Sequence, residues 1–247
     1  MVDEVLARSF ETSGADYDRY RPGFPPAAVE IMVPSRVDTA LDLGAGTGKF
    51  TRLLLDRAET VIAVEPSAAM LDVLRANLPD VDARAGGAEA IPCSDESVDV
   101  VTVAQAFHWF DRDPACAEIA RILVPGGRLG LLWNRSDPAC AWDVAAHRVA
   151  HPAVRGTSDD ATSSSAADDL PGFVFERHDE VRWRETMTRE SYLARWRTVS
   201  TFLVADDETE RRMLEHIEAI LDADPDTRGR REFDVPHFTD VYAYRRA

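Results

Sequence analysis

From residue 38 the chain alternates short β-branched or apolar runs with stretches of helical period. The runs are TALDL (39–43), TVIAV (60–64), VDARA (81–85), VDVVTVA (98–104) and GRLGLLW (127–133). Between them lie helix-like stretches near 48–57, 67–77 and 113–123. Alternation of this kind predicts a parallel sheet covered by helices on both faces, an α/β fold. VDVVTVA is apolar almost throughout, as a strand buried on both faces requires. The Pro-Gly-Gly at 125–127 reads as a helix stop and a turn into the next strand.

The flanks are weaker in pattern. Residues 1–34 read as helical with a break at RPGFPP (21–26), where Pro26 can open the next helix. After WNRSDP a helix is expected over 137–151, and the Ser/Ala/Asp-rich run 156–169 reads as a mobile surface segment. A strand over 173–183, helices near 188–203 and 207–222, and a last strand at 238–245 complete the pattern, which has no internal repeat.

Charge and cysteine content narrow the function classes. The 247 residues carry a formal net charge of −16, which argues against nucleic acid or anionic lipid as a partner. Lys49 is the sole lysine. Three cysteines, Cys93, Cys116 and Cys140, show no C-x-x-C pairing, as expected in a reducing cytoplasm and not of a zinc site or disulfide framework. The start, MVDEVLARSF, has neither the basic nor the apolar region of a signal peptide, and no window reaches the roughly 20 apolar residues of a membrane span. A cytoplasmic protein is expected.

ALDLGAGTGKF (40–50) carries the candidate chemistry. An apolar run ends in an acid, and glycines follow at 44, 46 and 48. Three ligands compete for such a loop. A triphosphate loop, G-x-x-x-x-G-K-[ST], would need glycine at Leu43 and a magnesium-ligating hydroxyl at Phe50. A dinucleotide loop, G-x-G-x-x-G, would need a small residue at Lys49. A short-chain dehydrogenase would further need a Tyr-x-x-x-Lys pair, which a chain with one lysine in this loop cannot supply. The third ligand is a nucleoside without phosphate. Asp42 precedes the first glycine and Glu65 ends the next apolar run, 21 residues after Gly44, where an acid receives two ribose hydroxyls. The plainer role for both acids is to cap helices.

LDLGAGTGKF, VIAVEPS, GGAEAIPCSDESVDVVTVAQAFHWFD and ARILVPGGRLGLLWN resemble the ordered motifs of class I S-adenosylmethionine (SAM)-dependent methyltransferases. With YDRYRPGFP in front, the chain is similar over residues 17 to about 135 to the small-molecule enzymes of the trans-aconitate methyltransferase-like subgroup. The resemblance implies a single Rossmann-like domain: a doubly wound, mostly parallel sheet of seven strands with an antiparallel strand near its end. It implies lid helices over 1–36, a SAM-binding core over 37–135, a cap or substrate region over 136–225 and the last strand over 226–247. It implies cofactor contacts from Tyr20, Arg21, Asp42, Gly44, Ala45, Gly46, Glu65, Pro66, Met70, Ala88, Glu89, Ala104 and Gln105. Glu65 would hold the ribose, Ala88 and Glu89 would flank the adenine, and Ala104 and Gln105 would touch the methionine. Many relatives carry an acid where this chain has Gly87. The implied reaction moves a methyl group from SAM to a small-molecule acceptor, with O-methylation favoured over N or C, and releases S-adenosylhomocysteine. A SAM-dependent cyclisation or decarboxylation, or a non-catalytic SAM-binding relic, are the alternatives. A monomer or homodimer is expected.

Methyl transfer needs alignment, exclusion of water and, for some acceptors, removal of a proton. His108 follows the fourth strand, near where acceptors sit in open α/β sheets, and could be a general base or a structural hydrogen-bonder. Trp109, Trp133 and Asn134 are the other candidate acceptor contacts. Trp109 and Phe110 also fit a core role, and Asn134 a turn. His147 and His151 have i, i+4 spacing but lack the glutamate of a zinc-binding H-E-x-x-H. WRETMTRESYLARWR (183–197) reads as a cap helix with Tyr192 and Trp196 on one face.

Overall fold

The computed structural model describes residues 18–150 and 169–247. Its elements are α1 (Pro26–Met32), β1 (Val37–Leu43), α2 (Thr51–Leu54), β2 (Ala58–Glu65), α3 (Ala68–Asn77), β3 (Asp82–Ala85), β4 (Val98–Ala104), a 3-10 turn (Phe107–Trp109), α4 (Arg112–Ile122), β5 (Leu123–Ser136), α5 (Ala141–Ala150), β6 (Phe173–Thr188), α6 (Arg189–Trp196), α7 (Ser200–Leu203), α8 (Asp207–Ala223) and β7 (Glu232–Arg246). The described residues fall into two compact units. A sheet unit takes 23–134, 169–181 and 239–247; a helical unit takes 18–22, 135–150 and 182–238. Among the described residues the chain passes between them at 22–23 and within β5, β6 and β7.

The seven strands run in the order β3-β2-β1-β4-β5-β7-β6, with β1–β2, β1–β4, β2–β3 and β4–β5 parallel. The order reverses between β1 and β4, which is the switch point where ligands of such sheets bind. Both faces are covered. Leu41, Leu43, Val101 and Val103 pack with Ile119 and Ile122 of α4, whereas Ala40 and Val100 pack with Val29 and Met32 of α1 and Leu54 of α2. This is the mostly parallel, doubly wound, Rossmann-like sheet expected.

Several extents differ from expectation. The Pro-Gly-Gly at 125–127 lies inside β5, which begins at Leu123. Pairing with β4 jumps there from Val98–Leu123 to Val100–Arg128, and Gly126 takes left-handed backbone at φ +76°, so the bend expected of Pro-Gly-Gly lies within the range of β5. The helix expected near 48–57 shrinks to α2, β6 runs on to Thr188, and β7 starts at Glu232. Residues 183–188 are therefore strand, and the cap helix begins at Arg189. The 156–169 segment, apart from Asp169, lies outside the described residues, as do His151 and the start of the chain to residue 17.

In the helical unit, α5, α6 and α8 enclose Trp142, Ala146, Tyr192, Trp196, Ile217 and Leu221, with Tyr192 and Trp196 on the inner face as the spacing predicts. Asp143 is fully buried there and accepts the Tyr192 hydroxyl at 2.6 Å. Burial works to raise its pKa, and the nearby His147, Arg195 and Tyr192 more than offset this. Asp206 caps α8 by accepting the Thr209 amide at 2.8 Å.

Candidate functional site

The carboxyl ends of the parallel strands lie along one edge of the sheet, and the glycine loop leaves the first of them. Gly44, Gly46 and Gly48 all take left-handed backbone, at φ +68°, +56° and +89°. Their roles differ. A Cβ on Gly44 would lie 2.6 Å from the Ala106 Cβ, and one on Gly48 would lie 2.9 Å from a Leu78 methyl. Those two glycines let protein pack on protein. A Cβ on Gly46 would meet nothing within 4 Å among the described residues. Of the three, Gly46 is the one whose backbone no described residue packs against.

Most of the loop's amides are already committed. Gly44 and Ala45 both donate to the Val64 carbonyl, at 2.8 and 3.1 Å, and Gly48 donates to the Ala45 carbonyl at 3.0 Å. Gly46 donates to Glu65 Oε2 at 2.8 Å. The second Glu65 oxygen accepts the Ser67 amide at 2.8 Å, one residue before α3. Ser67 itself caps α3 by accepting the Met70 amide at 3.4 Å. Burial pushes the Glu65 pKa up, and the two amides hold it partly down. A carboxylate has about four acceptor positions, so each oxygen keeps a lone pair for a hydroxyl donor. A phosphate at Gly46 would meet that carboxylate on the amide it requires.

Asp42 is oriented inward. Its two oxygens accept the Thr51 hydroxyl at 2.6 Å and the Thr102 hydroxyl at 3.1 Å, tying β1 to α2 and β4. It is 1 % exposed, and burial raises its pKa to about 6 against the opposing pull of the two hydroxyls. Thr47, which sequence reasoning misses, has a buried hydroxyl in the loop with no hydrogen-bond partner among the described residues. Threonine between glycines is unremarkable as a letter, so no motif points to it.

The other expected contacts follow the next strands. Pro66 is exposed; Met70 is buried on α3. Ala88 is buried against the sheet core. Glu89 accepts the Asp111 amide at 2.9 Å. Ala104 ends β4 half-buried, and Gln105 follows at φ +57°, a left-handed conformation costly for a side-chain-bearing residue. Its amide donates to the Leu132 carbonyl at 2.9 Å and its side-chain amide to the Asn134 carbonyl at 3.2 Å. The turn then presents His108, whose residue surface is open; the surrounding protein nevertheless lowers its pKa by desolvation. Trp109 is 46 % exposed, so the core role belongs to Phe110 and not to Trp109.

Trp133 and Asn134 end the sheet-unit part of β5. Trp133 is buried in an edge-to-face contact with Tyr242, and its indole N–H has no partner among the described residues. Asn134 is no turn residue. Its amide donates to the Gly23 carbonyl at 2.8 Å and its oxygen accepts the Thr239 hydroxyl at 2.7 Å. Tyr20 and Arg21 belong to the helical unit. Arg21 donates to the Thr198 carbonyl at 2.9 Å, and Tyr20 lines an open groove of about 600 Å³ with Leu193, Arg197 and Leu214.

Known proteins are similar to this chain in sequence and fold. A family model described as a methyltransferase domain matches residues 41–131. An uncharacterised methyltransferase of Mycobacterium tuberculosis is 36 % identical over 234 residues, covering 95 % of this chain and 94 % of its own. A malonyl-[acyl-carrier protein] O-methyltransferase of Methylococcus capsulatus is 45 % identical over 95 residues, 36 % of this chain and 34 % of its own. A solved structure from Anaeromyxobacter dehalogenans, described as a candidate type II methyltransferase, superposes with a TM-score of 0.68 at 24 % identity, covering 92 % of this chain and 97 % of that one.

Proposed function

The chain belongs to the methyltransferase family, and on that premise we propose that it moves a methyl group from SAM to a small-molecule acceptor, with oxygen as the favoured receiving atom. The observation that carries the choice of cofactor is the pairing of Gly46 with Glu65. The loop offers open backbone beside a carboxylate, with amides already donated to protein acceptors. That combination suits a ribose and a cationic sulfonium and is hostile to phosphate. The preference for oxygen accords with the malonyl-carrier O-methyltransferase among the relatives and with the resemblance to the trans-aconitate methyltransferase-like subgroup.

SAM, when bound, supplies a methyl carbon on a sulfonium that is already a leaving group. The chain's task is then to hold and to exclude. Glu65 receives the ribose hydroxyls, and Gly46 lets the ligand pass close to the backbone. Ala45, Pro66, Met70 and Ala88 contribute apolar surface, and Ala104 and Gln105 border the amino-acid end. His108 faces the acceptor and takes its proton where the acceptor has one, since a depressed pKa keeps the ring neutral at pH 7. Trp109, Trp133 and Asn134 shape the acceptor side.

Calorimetric titration with SAM, with NAD and ATP as controls, tests the reading. Selective SAM binding supports it, and equal binding of NAD overturns it. An acceptor screen that releases S-adenosylhomocysteine then separates methyl transfer from SAM-dependent chemistry that keeps the methyl group.

A further inference from the structure

We propose that Glu89 is the positioning residue of the turn that carries His108. The proposal rests on the reading of His108 as an acceptor-side residue, and it departs from the adenine role that the resemblance implies for Glu89.

The turn 105–111 is anchored at two ends. At the near end, the left-handed Gln105 is held by the Leu132 and Asn134 carbonyls, and Ala106 sits against Gly44. At the far end is Asp111, the N-cap of α4, whose own side chain makes no capping bond. The amide of an N-cap residue is often received by a glutamate three residues into the helix. Here that position is Pro114, which has no acceptor side chain. Glu89 reaches in from another segment and takes the Asp111 amide at 2.9 Å.

Glu89 can hold the turn because its own segment is held by α4. The Ile91 amide donates to Glu118 Oε2 at 2.9 Å, and Arg121 donates to the Ile91 carbonyl at 3.0 Å. A bridge between Gly87 and Ala90 closes the tight bend around Glu89. The carboxylate also lies at the start of an eleven-residue helix, where negative charge is favoured. Without Glu89, the Asp111 amide loses this acceptor, and the His108 ring is free to swing into water.

The experiment follows the His108 ring by NMR through a pH titration in the wild type, Glu89→Ala and Glu89→Gln, with the resonance assigned by His108→Asn. SAM affinity is measured calorimetrically on the same samples. Desolvation is what lowers the His108 pKa. In Glu89→Ala the midpoint is expected to rise toward the ordinary histidine value of about 6.5. Removing a nearby carboxylate could by itself only lower an imidazole pKa, so a rise carries the sign of a released turn. Glu89→Gln keeps an oxygen for the Asp111 amide and is expected to titrate as the wild type does. SAM affinity is expected to stay within about threefold in all three, since one removed contact outside the cofactor leaves its own bonds intact. An unmoved midpoint in Glu89→Ala, or a tenfold or greater loss of SAM affinity of the kind a direct adenine contact gives, overturns the proposal. Failure of the wild type to bind SAM would sink the cofactor reading and leave the NMR result to decide on Glu89.

Discussion

Glu65 holds the glycine loop by its middle: one oxygen accepts the Gly46 amide and the other the Ser67 amide, each at 2.8 Å. The same carboxylate therefore fixes the loop to the start of α3 and faces the proposed ribose. Glu65→Ala removes both functions. Hydrogen bonds to a charged acceptor contribute about 1.5–3 kcal/mol each. Loss of two ribose contacts is expected to weaken SAM binding by about 100-fold or more. Titration calorimetry checks it, and an affinity unchanged by the substitution would remove Glu65 from the site.

Gly44 and Gly46 look alike in sequence and should fail differently. Both substitutions to alanine force a side chain into left-handed backbone, costing about 1–2 kcal/mol. Gly44→Ala adds a Cβ 2.6 Å from the Ala106 Cβ; Gly46→Ala meets nothing within 4 Å. Gly46→Ala is expected to lower the melting temperature by a few degrees, at about 2–4 °C per kcal/mol for a chain this size, while reducing SAM affinity. Gly44→Ala is expected to lose stability first, by about twice as much or more. Equal melting temperatures for the two variants would contradict the assignment of Gly44 to packing.

Asp42 makes stability depend on pH. Its folded pKa of about 6 stands above the ordinary 3.8. The protonated form is the one the interior favours, so this residue's contribution is full below about 3.8 and is lost as pH rises through about 6. The amide introduced by Asp42→Asn has no such dependence, and its oxygen can still serve a threonine hydroxyl. Relative to the wild type, Asp42→Asn should gain stability between pH 4 and pH 7, on the order of 2–3 kcal/mol at most. Melting curves across that range check it; a constant difference between the two proteins would show that Asp42 does not titrate there.

His108→Ala is expected to lower turnover by about 100-fold, within the range of a lost general base, and to leave SAM affinity within about twofold. The depressed His108 pKa gives the wild-type rate an acid limb whose midpoint lies below the ordinary 6.5, and the variant should lack it. S-adenosylhomocysteine release against pH is the measurement. Unchanged turnover would mean an acceptor that is already a nucleophile.

Local pattern was enough wherever one segment decided its own structure. VDVVTVA is strand β4 from end to end because an apolar run flanked by polar turns leaves little choice. Pro26 opens α1 for a similarly local reason. Pro-Gly-Gly at 125–127 shows its bend in the sequence, with Gly126 left-handed, but not that β5 is already paired at Leu123 ahead of it. What stayed hidden depends on partners distant in sequence. The three glycines are equivalent as letters, and only Ala106, Leu78 and open space tell them apart. Asp42 reads as a site acid, and only the fold shows that Thr51 and Thr102 each donate to one of its oxygens. Glu89 is joined to Asp111 across 22 positions, a distance no motif reports.

The helical unit is assembled from three separated stretches of chain, and three of the passages between the units run inside β5, β6 and β7. Recombination acts on contiguous sequence. A single crossover between two such genes would cut through a strand or leave each product with part of both units. Homologous proteins of this build can therefore diverge in the helical unit by point substitution and by changes in loop length, whereas wholesale exchange of that unit requires several simultaneous breakpoints in register. Chimaeras intended to transplant it should be cut at loops between strands and should carry β5, β6 and β7 over whole.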